Sequence, residues 1–378
     1  MSDWYRSLGV SAHKTFLKAY HPQGYFVSVG PDLAGDPLHS FILHADGVGT
    51  KGILAYLWWK ETGDEQVWYH LAQDALVMNT DDLACVGATE NFVFSTTIAR
   101  NPFFIPDDVV QALIQGIYAF ADWLGKQGIS AWVAGGETAD MPDVVRTVSL
   151  EATAAVRIAR DRLLPISRPD TELWIVGLGS FGQTTYEDAY NSGIGCNGIT
   201  AIRHLLLHPM YKEKYPETVA DELSDPYRGE YNLTQEVQGI PLGRLLTSPT
   251  RTYLPFLREA YAEYRRGIYA VIHCTGGGQR KALKYLPRTL IRKENFFPLS
   301  PLFALLENRR PWPELFEVLN MGHRLELYVL PTVAESLISL AQSYNLPAQV
   351  IGSAVPHDQP TRIEAVFRDT TWIWESEV

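Results

Sequence analysis

A glycine-rich turn between two regular elements sets the terms for the N-terminal half of this chain. Phe41-Ile42-Leu43 is an apolar run of the kind a buried strand needs, and Ile53-Leu54-Ala55-Tyr56-Leu57, free of breakers, reads as the opening of a helix. Between them stands His44-Ala45-Asp46-Gly47-Val48-Gly49-Thr50-Lys51-Gly52. Glycines at such a turn let backbone N–H groups approach a ligand, because no Cβ stands in the way. A helix starting just beyond adds its unsatisfied N–H groups and positive dipole end, which favour phosphate. Lys51 reads as a mobile positive charge and Asp46 as a carboxylate able to hold a divalent cation. The stretch is not a Walker A loop, since no G-x-x-x-x-G-K-[ST] occurs, and taken alone it fits a plain strand-to-helix turn with incidental charges better than a ligand site.

At 378 residues the chain has room for two domains with full cores. A hydrophobic fraction of 46% and a charged fraction of 20% are those of a globular protein rather than a disordered one. The net charge of −11, with no basic tail or cluster, argues against a nucleic-acid partner. Cys85, Cys196 and Cys274 are odd in number and far apart, which gives neither a metal spacing nor a disulfide framework and fits a reducing compartment. No apolar run is long enough to span a bilayer, and the first residues lack a signal peptide's apolar stretch, so the expectation is a cytoplasmic protein without membrane contact.

Residues 1–40 read as irregular, with a short strand at Tyr25 to Val29. Gln66 to Val86 shows helical spacing and an unusual density of polar residues: Asp74, Asn79, Asp81 and Asp82. A strand at Asn91 to Ala99, a helix opening at Pro106-Asp107-Asp108, a short strand at Ile129 to Ala134 and a β-rich segment at Thr147 to Ile158 follow. That order argues for an α/β or α+β domain. Pro165 to Asp170 is the linker candidate. The second half repeats the style of the first, with strands at Leu173 to Val176, Ile268 to Cys274, Leu325 to Leu330, Val350 to Val355 and Arg362 to Phe367. Helices are expected at Asn197 to Leu207, through Leu257 to Tyr264, and at Val333 to Tyr344. Tyr211 to Gln238 reads as a surface excursion, and Thr247 to Tyr253 as a polar loop.

Four polar clusters sit at strand ends or on a helix: the Asp46 turn, Asp74 to Asp82, Gly136-Glu137, and Gly276-Gly277-Gly278. Mg²⁺ is usually held by one or two carboxylates plus substrate phosphates, and Asp46, Asp82 and Glu137 are the candidates. A solvated helix end is the alternative for Asp81 and Asp82. His44 and His273 stand at strand ends and read as structural.

These clusters carry a resemblance. Asp46-Gly47-Val48-Gly49-Thr50-Lys51, Asp81-Asp82-Leu83 with Val86-Gly87-Ala88, Gly135-Gly136-Glu137-Thr138-Ala139 and Cys196-Asn197-Gly198 come first. Ser248-Pro249-Thr250-Arg251, Thr275-Gly276-Gly277-Gly278, Asn320-Met321-Gly322 and Ile351-Gly352 complete the series. In this order, over nearly the whole chain, they resemble the aminoimidazole ribonucleotide synthetase family, the phosphoribosylformylglycinamidine cyclo-ligases. The resemblance implies a two-domain α+β fold: an N-terminal dimerisation and ATP-binding domain (1–168) whose sheet joins a partner's in a dimeric barrel, and a C-terminal α/β domain (169–378). It implies a homodimer that uses ATP and Mg²⁺ to close formylglycinamidine ribonucleotide to aminoimidazole ribonucleotide. Catalytic roles would fall to Lys51 and Asp46. Nucleotide contacts would come from Gly47, Gly49, Thr50, Asp82, Gly136, Asn197, Thr275, Gly276 and Gly277, and metal contacts from Asp46, Asp82 and Glu137.

Three stretches depart from the family pattern. Pro22-Gln23-Gly24-Tyr25-Phe26 replaces a glycine-rich segment thought to help cover the nucleotide. Extra residues between Gly182 and Gly195 split a Ser-Ser-Gly-x-His-Ser-Asn-Gly motif whose His is absent, leaving its role to His204 or to no residue. Arg324 stands where the family has glycine. The rival readings are a thiamine monophosphate kinase-like enzyme and a non-catalytic nucleotide-binding homologue. A selenophosphate synthetase is disfavoured because the first cysteine is Cys85.

Overall fold

A computed structural model describes residues 3–10 and 24–376; the Pro22-Gln23 part of the lid expectation lies outside them. A short helix α1 (Asp3–Arg6) precedes a five-stranded sheet built from β1 (Gly30–Pro31), β2 (His39–Gly47), β3 (Phe92–Arg100), β4 (Ala131–Asp140) and β5 (Val148–Ala159). Its order is β1-β2-β5-β3-β4, antiparallel except for the β3–β4 pair. That parallel pair needs a crossover, supplied by α4 (Asp107–Lys126), which follows α2 (Lys51–Thr62) and α3 (Gln66–Ala84) in the chain. Alternation decides which face is covered. Ile42, Phe92, Phe94, Ile98, Leu150, Ala152, Ala154 and Val156 point to the helices and are buried, whereas Leu43 and Trp132 on the other face are 60% and 65% exposed. The sheet is open in the single chain.

Helix α3 is buried along most of its length, against β2, β5, α4 and the helix Leu254–Tyr264. A helix so covered must find partners for the polar side chains it buries, and α3 buries Asp74, Asn79, Thr80, Asp81 and Asp82.

The second half forms a seven-stranded sheet from β6 (Leu173–Gly179), β11 (Ile268–His273), β12 (Thr289–Lys293), β13 (His323–Val329), β14 (Ala348–Pro356), β15 (Arg362–Phe367) and β16 (Thr370–Glu375), in the order β11-β13-β6-β14-β12-β15-β16. Only β12–β15 is parallel. Two small pairs, β7–β8 (Phe181–Gly182, Asn191–Ser192) and β9–β10 (Glu236–Val237, Ile240–Pro241), and helix α5 (Ile199–Leu206) lie between β6 and β11. Mixed α+β architecture with two sheets is thus established. No helix among the described residues is long and apolar enough to cross a membrane.

Several expectations need correction. Tyr25 to Val29 is not a strand, and β12 and β16 were not anticipated. β4 does not stop at Ala134 but runs on through Gly136-Glu137, so that motif lies in a strand and not in a turn after it. The stretch from Tyr211 to Gln238 is not a loose excursion: Tyr211, Tyr215, Val219, Tyr227 and Leu233 are buried. The polar loop Thr247 to Tyr253 is buried as well, because it packs on α3 and supplies that helix with hydrogen-bond partners.

Candidate active site

Four of the buried polar residues of α3 tie the helix to its neighbours. Asn79 donates to the carbonyls of Asp46 (3.2 Å) and Ala152 (3.1 Å), pinning the end of β2, and its Oδ1 meets His44 Nδ1 at 2.9 Å. Asp74 Oδ1 accepts from Lys51 Nζ at 2.8 Å and from the Thr250 amide and hydroxyl at 2.7 and 2.6 Å. Asp81 accepts from the Thr252 hydroxyl at 2.7 Å and faces Arg324 Nη2 at 3.5 Å. Asp82 lies between His273 Nδ1 at 2.6 Å and His44 Nε2 at 3.5 Å. The helix therefore holds the Asp46 turn on one side and the second sheet's loops on the other.

This arrangement brings Asp46 and Asp82 together. Burial raises the Asp46 carboxyl above its ordinary range, and the neighbouring Asp82 charge pushes the same way. Burial would raise Asp82 too, but the Lys281 charge and the His273 hydrogen bond outweigh it and hold that group at about 2. His273 is pushed down to about 4 by burial, against the pull of Asp82. Its Nε2 accepts from Arg324 Nε at 2.9 Å, which fixes a neutral ring whose Nδ1–H donates to Asp82. The histidines read as structural thus orient the central carboxylate.

Across from this pair, β11 ends in Thr275-Gly276-Gly277-Gly278. The amides of Gly276 and Gly277 donate to no group among the described residues, and neither does that of Gly49 in the Asp46 turn. Asn197 lies alongside: a Cβ built on Gly276 would stand 4.0 Å from its Nδ2, and its buried Oδ1 has no partner among the described residues. Thr50 Oγ1 meets Thr200 Oγ1 of α5 at 2.9 Å, joining the two walls. Asp46, Gly49, Thr50, Asp82, Asn197, Thr275, Gly276 and Gly277 therefore gather in one cleft between the two sheets, whereas Gly47 gives its amide to Asp46 Oδ1 at 2.7 Å and a Cβ on it would point at Glu151.

Lys51 and the Gly136-Glu137 pair do not share it. Lys51 is 1% exposed, and its ammonium is held by Asp74 and by the Ser248 carbonyl at 2.6 Å, so it is not a mobile charge at the cleft. Glu137 is paired with Thr97, which is paired with Glu151 and through it with Gly47; that row projects from the open face, whereas Asp46 projects from the covered one. Three strand spacings, about 14 Å, also separate β4 from β2. Gly136 is explained locally, since a Cβ there would lie 2.1 Å from the Thr96 carbonyl oxygen across the β3–β4 pair.

His204 does not replace the missing histidine. It is buried against Arg203 and Tyr227, and its Nδ1 meets the Pro226 carbonyl. Two other polar features lie apart from the cleft. A 730 Å³ cavity is lined by His70, Trp123, Tyr186, Tyr190 and Arg244, on another face of α3. Cys274, His323 and Glu326 form the only metal-spaced trio among the described residues. Lys293 at 2.5 Å and Tyr328 at 2.9 Å already occupy the Glu326 oxygens, so the trio is a buried ion-pair network and not a cation site. Sequence reasoning missed Lys281, whose Nζ bonds Thr275 Oγ1 and sits 4.7 Å from the centre of the Phe26 ring. Its place shortly after the triple glycine was the available signal.

Residues 32–156 match the N-terminal domain of AIR synthase related proteins. That match marks the N-terminal part of the chain as an AIR synthase-related domain. Over most of its length the chain is similar to proteins named phosphoribosylformylglycinamidine cyclo-ligase. It is 29% identical over 302 residues to the protein of that name from Thermococcus gammatolerans, covering 79% of this chain and 75% of the relative. Among solved structures, Thermotoga maritima PurL complexed with ATP superposes with a TM-score of 0.55 at 12% identity, over 97% of this chain and 48% of PurL, so the chain spans about half of that neighbour. Thiamine-monophosphate kinase from Stenotrophomonas maltophilia superposes with a TM-score of 0.51 at 17% identity, over 86% of both chains. At such identities the two structures speak for the fold alone.

Proposed function

We propose that this chain is an ATP-dependent cyclo-ligase that closes formylglycinamidine ribonucleotide to 5-aminoimidazole ribonucleotide, releasing ADP and phosphate. The observation that carries this reading is the Asp46–Asp82 pair facing the Thr275-Gly276-Gly277 turn, in a chain whose relative bears the cyclo-ligase name over 79% of its length. In the reaction the formyl oxygen attacks the γ-phosphorus of ATP and ADP leaves. The amidine nitrogen then attacks the activated carbon, the carbon–oxygen bond breaks, and phosphate departs with that oxygen. Phosphoryl transfer of this kind asks a protein mainly for positioning and charge neutralisation. The free amides of Gly49, Gly276 and Gly277 supply oriented donors for phosphate oxygens. Asn197, with its unpartnered Oδ1, offers a polar group to the substrate.

The carboxylates suit a divalent cation, because Asp46 is destabilised as an anion both by burial and by Asp82. Mg²⁺ held by Asp46 and Asp82 would neutralise the phosphates. We assign Lys51 a positioning role through Asp74. Residues 1–168 and 169–378 supply the two walls of the cleft.

The open face of the first sheet fits a homodimer. Leu43 and Trp132 are exposed there, and β4 is a ten-residue edge strand. Long uncovered edges and apolar faces invite pairing, and a second copy laid on this face would complete the barrel. Glu137 lies on the wrong side of its own sheet to reach Asp46, so its metal or nucleotide role requires it to act in the cleft of a second copy.

The test supplies formylglycinamidine ribonucleotide carrying heavy oxygen at the formyl group, with ATP and Mg²⁺. The expected result is aminoimidazole ribonucleotide with the label in inorganic phosphate. Absence of the imidazole, or label released to water, overturns the reading.

A further inference from the structure

Two buried lysines are committed to carboxylates: Lys51 to Asp74 at 2.8 Å and Lys293 to Glu326 at 2.5 Å. Lys281 is half-buried and differs from both. No carboxylate among the described residues lies within ion-pair distance of its ammonium, whose hydrogen-bond partner is the Thr275 hydroxyl. Lysine loses several hydration contacts when its head is drawn into a protein, so an ammonium held there with no anion in direct contact can take one.

Its surroundings indicate which anion. Thr275 opens the glycine turn whose Gly276 and Gly277 amides are unpartnered, and the 3-10 helix Gly278–Lys284 carries Lys281 back toward that turn. The ring of Phe26 lies 4.7 Å from the ammonium and is itself stacked on Tyr285, with centroids 4.7 Å apart. Phe26 is 3% exposed, so the aromatic pair shields the ammonium on the side where the ring lies. Asp82 and Asp46 are near enough for Lys281 to support the ionised form of each. These carboxylates can hold the metal end of a metal–nucleotide complex, but they repel its phosphates unless a cation stands nearby.

We propose that Lys281, with the Thr275 hydroxyl and the Gly276 and Gly277 amides, is the phosphate-binding cation of the nucleotide site, the part that sequence pattern gave to Lys51. This rests on the ATP-dependent reading above. The ligand class is a nucleoside di- or triphosphate bound through its terminal phosphates. The Phe26 segment then acts as the cover over that end of the cleft.

Calorimetry on full-length wild type, Lys281→Met and Lys281→Arg, with ATP, ADP and adenosine in Mg²⁺ buffer, tests the proposal. Lys281→Met should weaken ATP and ADP binding by about 10–100-fold, the scale of one charge-assisted hydrogen bond, and leave adenosine binding within about twofold. Lys281→Arg should recover most of the loss, which a merely structural role would not predict. Thermal midpoints of the three proteins show whether each is folded. Equal weakening of all three ligands, or ATP affinity unchanged in folded Lys281→Met, overturns the proposal and leaves the cyclo-ligase reading standing. Failure of the wild type to bind ATP overturns both.

Discussion

Replacing Lys51 by methionine separates two readings of the glycine turn. In the structure the Lys51 and Asp74 side chains are each 1% exposed and meet at 2.8 Å, linking α2 to α3, while the Ser248 carbonyl and the Thr250 donors tie the same cluster to the second half of the chain. Removing one partner of a buried ion pair leaves an uncompensated charge, at a cost of about 3–5 kcal/mol. Asp74 would keep the two Thr250 donors, while its Oδ2 has no partner, so the lower end, about 3 kcal/mol, is expected. For cooperative unfolding of a chain of 378 residues this corresponds to a midpoint lowered by roughly 4 °C. The double variant Lys51→Met/Asp74→Leu removes both charges, and its loss should be smaller than the sum of the two single losses. Urea and thermal unfolding of the four proteins, with turnover measured alongside, decides the matter. If Lys51→Met unfolds within 1 kcal/mol of wild type while turnover collapses, the ammonium serves the nucleotide, and the buried pair is not its working state.

Two further outcomes follow from the site and the open sheet face. Trp132→Asp should convert a sedimenting dimer into monomers with loss of turnover, whereas Glu137→Gln should keep the dimer and the thermal midpoint and lose turnover; a dimeric, fully active Trp132→Asp protein refutes the interface. Burial pushes Asp81 up to about 7, against the ordinary 3.8, so the folded state holds a proton there that the unfolded chain lacks. That contribution to stability is present at low pH and is lost as pH rises from about 4 to about 7, by up to about 1.4 kcal/mol per pH unit. The stability of wild type minus that of Asp81→Asn should therefore fall across this window, in urea titrations at several pH values; a constant difference shows an Asp81 already ionised at pH 4.

What was legible in the sequence was local. Helices α3 and α4 and strand β3 emerge close to their observed bounds because hydrophobic periodicity and terminal acids are short-range signals. Asp46 and Asp82 could be selected because one follows an apolar strand and the other stands among polar residues on an otherwise apolar helix. The errors concern direction. Lys51 looks available in any linear reading, and only packing shows that its side chain turns inward to Asp74. Glu137 follows an apolar run like Asp46 does, but a strand that continues through the glycines puts it on the opposite face of the sheet. His273 and Arg324 were invisible as site residues because their partners lie 191 and 51 positions away in the chain.

Arg324 and Gly195 show how two separate departures become one. Gly195 closes the extra residues that split the motif lacking its histidine, directly before Cys196-Asn197-Gly198. A Cβ on Gly195 would stand 3.4 Å from Arg324 Nη1 and 3.5 Å from its Cδ, and the Gly195 φ of +65° disfavours a side chain independently. The long side chain arriving from β13 thus fills the space beside the bare backbone at 195. Arg324 binds His273 and faces Asp81 from there, while its buried Nη1 has no partner among the described residues. The positive charge on this wall of the cleft is therefore permanent, since a guanidinium does not titrate where an imidazole would. The neutral His273 beside it needs no second proton to hold Asp82, since its Nδ1–H is the donor. The electrostatics around the Asp46–Asp82 pair consequently rest on Lys281 directly and on Arg324 through His273, two cations contributed by the second half of the chain to carboxylates contributed by the first.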